Sequence, residues 1–140
     1  MLQKLALLLL ALILIGCSTM PITKDTGKPV PQERIYPEYL EMIKDEASLS
    51  TLTIFRDKGF VGSACGHDFF VNGVKSFTIN DKEFIDLKLP PGNYFFRIDT
   101  GKALCTNVSL SLETVLRKNE LREYRISISA AGQIGFSRAK

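Results

Sequence analysis

The chain has 140 residues, 45% hydrophobic and 24% charged, which suits one packed domain. Its 18 Lys and Arg against 15 Asp and Glu give a formal charge of +3. No dense basic patch accompanies that charge: Arg117, Lys118, Arg122 and Arg125 are interleaved with Glu120 and Glu123, which excludes a nucleic-acid footprint.

Met1 to Lys4 carries one charge, on Lys4, and Leu5 to Ile15 is an unbroken apolar block followed at once by Gly16-Cys17. The block has the length of a secretory h-region. It is short of the ~20 apolar residues that cross a ~30 Å hydrocarbon core. Being apolar on every face, it lacks the polar stripe of a surface helix. Leu14-Ile15-Gly16-Cys17 resembles the lipobox of bacterial lipoproteins. The resemblance implies that residues 1–16 are a signal peptide and that Cys17 becomes the lipidated first residue. The covalent lipid on Cys17 is then the only non-protein group expected, with no other cofactor. One acyl chain binds a membrane marginally, whereas two or more hold stably, since each buried CH₂ adds ~0.8 kcal/mol. Ser18, rather than Asp, follows the cysteine. In such proteins that choice implies the outer membrane, with the chain lipid-anchored and facing the periplasm.

Residues 17–46 are expected to form the lipidated Cys and a flexible tether ending in a short helix. Pro21, Pro29 and Pro31 stand among Thr, Lys, Asp and Gly with no periodic apolar face to repay the entropy of ordering. Over Tyr36 to Ala47, Pro37 suits a first helical turn, and Leu40, Ile43 and Ala47 share a face. The lipobox consumes one of three cysteines. Cys65 and Cys105 remain as a pair in an oxidising compartment, where a disulfide is the default. A metal site and two inert buried thiols are the alternatives, and with one His in the chain a four-ligand zinc site has to recruit carboxylates.

Residues 47–140 are expected to form the β-sandwich domain, and from Ser48 onward the period is two. Leu52 and Ile54 alternate with Thr51 and Thr53. After the loop Asp57 to Gly66, Phe69 and Val71 lead into Asn72-Gly73, the strongest local hairpin signal, with Val74 to Ile79 as the return strand. Asn80-Asp81-Lys82 turns into Ile85, Leu87 and Leu89, and Pro90-Pro91-Gly92-Asn93 turns into Tyr94, Phe96 and Ile98. Val108, Leu110 and Leu112 face inward against Ser109, Ser111 and Glu113. Tyr124, Ile126 and Ile128 follow, and Ala131-Gly132 turns into Ile134 and Phe136. Seven or eight short strands at regular spacing define an all-β, antiparallel sandwich or small barrel.

Arg56-Asp57-Lys58-Gly59-Phe60-Val61-Gly62-Ser63, Val71-Asn72-Gly73 and Leu89-Pro90-Pro91-Gly92-Asn93-Tyr94 resemble, in that order, the small bacterial lipoproteins of the DUF2846 type. The resemblance covers about residues 50 to 137. It implies a transthyretin-like β-sandwich, related in layout to immunoglobulin-like ones, with Cys105 as the second cysteine and no catalytic residues. The polar stretch 76–83 departs from the pattern, in which many members carry a glycine.

His67 lies two residues from Cys65 and beside Asp68, a grouping that supplies nucleophile and base in some enzymes. A period-two strand sends residues 67 and 68 to opposite faces, so His67 is read as a strand-start histidine hydrogen-bonded locally or to water. Asp81, Glu83 and Asp86 match no EF-hand spacing and are read as a solvated turn and outer face. The candidate interaction loop holds Lys58, Phe60 and Val61 between glycines and ends at Cys65. Its two apolar side chains either meet a partner or tuck over one end of the sandwich, the second being favoured. The expectation for function is therefore a non-catalytic structural or protein-interaction module of the cell envelope. It meets the membrane through its lipid anchor and an envelope protein as partner, with no nucleic acid and no small-molecule substrate. The alternative is a lipoprotein inhibitor of a periplasmic or phage-derived hydrolase.

Overall fold

The computed structural model describes residues 19–43, 48–101 and 104–140. The signal segment, Cys17 and the end of the expected helix, residues 44–47, lie outside the described residues. Nine strands follow in chain order: β1 Lys28–Pro29, β2 Ser50–Arg56, β3 His67–Val71, β4 Val74–Ile79, β5 Glu83–Leu89, β6 Gly92–Asp99, β7 Ser109–Leu116, β8 Leu121–Ile128 and β9 Ile134–Arg138. They form a five-stranded sheet, β1-β5-β2-β8-β9, over a four-stranded one, β4-β3-β6-β7. The two sheets pack as a sandwich, because each long strand carries one apolar face to bury.

The period-two pattern places the core directly. Leu52, Ile54, Leu87, Leu89, Tyr124 and Ile126 are buried from the first sheet, and Phe69, Val71, Phe77, Ile79, Phe96 and Ile98 from the second. Phe69 is the hub of an aromatic cluster, stacked on Phe77 at 4.7 Å and edge-on to Phe136 at 5.8 Å. The inward residues of β7, Leu110 and Leu112, are only half-buried because β7 is an edge strand of its sheet.

Asn72 and Gly73 both have positive φ, 49° and 83°, as a two-residue type I′ turn between β3 and β4 requires. A Cβ added at Gly73 meets nothing within 4 Å. Gly73→Ala is therefore expected to cost only the backbone strain of a left-handed alanine, about 1 kcal/mol, read as a lower urea midpoint at unchanged slope.

Two features depart from the sequence reading. First, the five-stranded sheet is mixed: β2 runs parallel to β8, and β1 parallel to β5. Alternation of side chains is the same in either direction, so the pattern carries no sign of it.

Second, the segment expected to be a free tether is folded onto the domain. Ile22 and Val30 are buried, and Lys28 and Val30 donate their N–H groups to Lys82 O and Phe84 O at 2.9 Å. Residue 29 between them turns its amide position away from β5, so Pro29 removes no ladder bond on this edge strand. The expected helix is instead a 3₁₀ segment, Pro37–Met42, after a shorter one at Gln32–Arg34. Tyr39 from it joins the core. The apolar residues here are spaced without a period, and their partners lie fifty residues on, so no local rule reveals their burial.

Candidate functional site

At one end of the sandwich β2, β6 and β8 finish while β3, β7 and β9 begin. The loops 57–66, 100–108 and 129–133 therefore gather there. Cys65 and Cys105 are joined as a disulfide with Cα atoms 5.8 Å apart, tying the first loop to the second. The expected pairing is thus present, and neither sulfur is a free thiol.

Each loop has further ties. Lys58 and Met20 exchange both backbone hydrogen bonds, at 2.7 and 3.0 Å. Gly59 N–H donates to Asp81 Oδ1 at 2.8 Å, and Cys65 N–H to Gly62 O at 2.9 Å. Thr100 closes the second loop: its hydroxyl donates to Thr106 O at 2.6 Å, and its N–H to Val108 O at 2.9 Å. Buried Asp57 organises the base. Its Oδ1 accepts from Ile22 N–H at 3.1 Å and from Arg125 Nη1 at 2.5 Å, and Arg125 Nη1 also donates to Ile22 O at 3.0 Å.

The candidate loop residues part ways on this scaffold. Lys58 is exposed. Phe60 does not tuck over the end: 82% of its surface is open. Val61 does, half-buried beside His67, Ile128, Gly132 and the disulfide along a recess of about 230 Å³. Val61 stands at the turn that Gly62, with a positive φ of 68°, and the Cys65 N–H to Gly62 O bond close back toward the disulfide, whereas Phe60 stands before that turn.

His67 starts β3 and is fully buried, while Asp68 faces the other way, bonded to Thr78 and Lys75. His67 Nδ1–H donates to Cys65 O at 3.1 Å, which assigns the proton to Nδ1. Burial first, and the nearby Arg56 charge second, push its pKa down to about 4. The ring is neutral at pH 7, and its Nε2 is buried without a hydrogen-bond partner among the described residues. Arg56 was not singled out from the sequence. It continues the inward phase of Leu52 and Ile54, lies fully buried, and donates from Nη1 to Asp57 O at 2.7 Å. Its Nε and Nη2 have no hydrogen-bond partner among the described residues, and burial lowers its pKa against the pull of Asp81 and Asp57.

Of the three acidic residues of the 81–86 stretch, Asp86 is exposed on the outer face as expected and Asp81 is half-buried in the turn, while Glu83 departs from the solvated reading. Glu83 is buried in a two-pronged pair with Arg34, at 2.8 and 2.5 Å. Asp81 holds Gly59, and Asp86 accepts from Thr53 and Lys24. Each carboxylate is thus committed to a different element, and no group of three metal-ligating side chains occurs among the described residues.

A wider groove of about 790 Å³ lies toward the opposite end, bordered by Asn72, Phe95, Glu113, Val115 and Arg117. Arg122, which also borders it, is paired with Glu120 at 2.7 Å and donates to Thr114. No family model matches this chain, and no curated protein is significantly similar to it.

Proposed function

We propose that the chain is a membrane-anchored periplasmic lipoprotein and acts as a non-catalytic structural or protein-interaction module of the cell envelope. One observation carries the interaction reading: a rigid end of the sandwich presents an apolar side chain, Phe60, to solvent on a loop braced on both sides. The disulfide braces it at Cys65 and the bridge to Met20 braces it at Lys58. Such preorganisation lowers the entropic cost of making a contact. The reactive groups at this end have structural duties: both sulfurs are bonded to each other, and the one histidine is neutral and turned inward. The lipobox supports the anchor. The eight longer strands, paired β5-β2-β8-β9 and β4-β3-β6-β7 with β2 parallel to β8, are in keeping with the transthyretin-like sandwich that the family resemblance implies.

Intact-mass analysis of the protein purified from bacterial envelopes tests the anchor. A mature chain starting at an acylated Cys17 is expected; a chain that retains Met1 and a free thiol at position 17 overturns it. Cross-linking of the native protein through Lys58 tests the interaction, which falls if nothing of the envelope, protein or lipid, is captured.

A further inference from the structure

We propose that the disulfide-braced end is a lipid-docking face, on which Met20, Phe60 and Leu104 enter the interfacial layer of the bilayer that carries the anchor. The proposal rests on the lipoprotein reading above and names the partner of that same end.

Chain length is the first argument. Cys17 precedes Met20 by three residues, which span at most ~11 Å when fully extended. Met20 is fixed to Lys58 by two backbone hydrogen bonds. Two residues on, Ile22 is buried and held through its N–H and C=O by Asp57 and Arg125. A domain on a thirty-residue leash has no preferred orientation, but this one is clamped almost at the acylated residue. The headgroup layer on each side of a bilayer is itself roughly 5–8 Å thick. The loop end of the sandwich is therefore held within roughly 11 Å of the acylated residue, close enough to reach that layer.

What this end displays is the second argument. Met20, Phe60 and Leu104 are 58%, 82% and 102% exposed, and they come from three separate segments that the fold brings to one end. Water is a poor solvent for all three, whereas apolar side chains set ~5–10 Å into the headgroup and acyl boundary are stabilised there. Exposed Lys58, on the loop of Phe60, and exposed Lys82, on the turn between β4 and β5 at the same end, suit anionic headgroups. Of the acidic residues at this end, Asp57 is bound by Arg125, Asp81 holds Gly59, and Asp99 is paired with Arg97 at 3.1 Å.

The absence of tryptophan from the sequence makes the test direct. Phe60→Trp is introduced into the full-length protein, matured and acylated in bacteria, and reconstituted into phosphatidylethanolamine–phosphatidylglycerol vesicles. Leu121→Trp, at the far end of β8 and 77% exposed in the parent side chain, serves as the comparison. The indole at position 60 is expected to emit at shorter wavelength and to be quenched roughly two-fold or more by lipids brominated near the headgroup, with little quenching at position 121. Equal, water-like emission from both positions in protein that floats with the vesicles overturns the docking while leaving the lipoprotein reading intact. So does an indole at position 60 that is buried against a second protein and untouched by brominated lipid. Protein that fails to float and carries an unmodified Cys17 overturns both.

Discussion

Replacing Cys65 and Cys105 together by serine is expected to lower the unfolding free energy by about 4 kcal/mol, the chain-entropy value for a loop closed over 40 residues. For a domain of this size that corresponds to a fall of roughly 15–20 °C in melting temperature. The bond ties two loops that otherwise rely on a few backbone contacts, so most of its effect is on the unfolded chain, which gains the freedom the cross-link denied it. The strands themselves are expected to persist. Their cores, from Phe69 and Phe77 to Tyr124 and Ile126, are built away from the sulfurs. Differential scanning calorimetry of the double variant, alongside the parent protein with and without reductant, provides the check. A melting temperature within a degree or two of the oxidised parent shows that the loops are held by their other ties alone. Parent protein under reductant matching the double variant excludes an effect of the serine side chains.

The reach of the sequence is clearest where an interaction is local. Asn72-Gly73 declared its turn because two adjacent positions need positive φ, and the strands on either side declared their inward faces by alternation. The disulfide followed from compartment and count, not from position. What escaped notice depends on distant partners. Ile22 is buried because Asp57 and Arg125 hold its backbone, and neither is within thirty residues of it. Glu83 looked like a surface carboxylate until Arg34 was found across from it. Arg56 was hidden by its own chemistry: the alternation of Leu52 and Ile54 pointed one step further, inward, and a charged residue argued against taking that step. Phe60 reversed the same bias, since an exposed phenylalanine on a loop is less common than a tucked one. Exceptions to the hydrophobic rule occur at both ends of the sandwich: Arg56, Glu83 and Phe60 at the end that meets the N-terminal segment, and Val115, Leu121 and Arg122 at the other. Each reflects a partner, or an exposure, set by tertiary structure that local pattern does not encode.

Acid is expected to destabilise the protein through His67, well above the range in which carboxylates titrate. The imidazole pKa falls from 6.5 in the unfolded chain to about 4 in the folded one. Above pH ~6.5 the ring is neutral in both states, and its contribution to stability is fully present. As pH falls below that value, the unfolded state takes up a proton that the folded state refuses, and stability declines. Below about pH 4 the folded protein is protonated as well, and the loss levels off at roughly 3 kcal/mol. Between pH 7 and pH 5 about 2 kcal/mol of this should be lost, as read from urea unfolding followed by circular dichroism. Most Asp and Glu side chains titrate near pH 4, so this window belongs largely to the histidine. His67→Leu is expected to flatten the dependence to within ~0.5 kcal/mol over the same interval, whatever it does to stability at pH 7. Arg56→Met removes the positive charge that adds to the effect of burial, so the imidazole pKa rises and the loss at pH 5 shrinks without vanishing. An unchanged slope in His67→Leu would assign the acid sensitivity to other groups. A slope that disappears entirely in Arg56→Met would make the arginine charge, and not desolvation, the main cause of the depressed pKa.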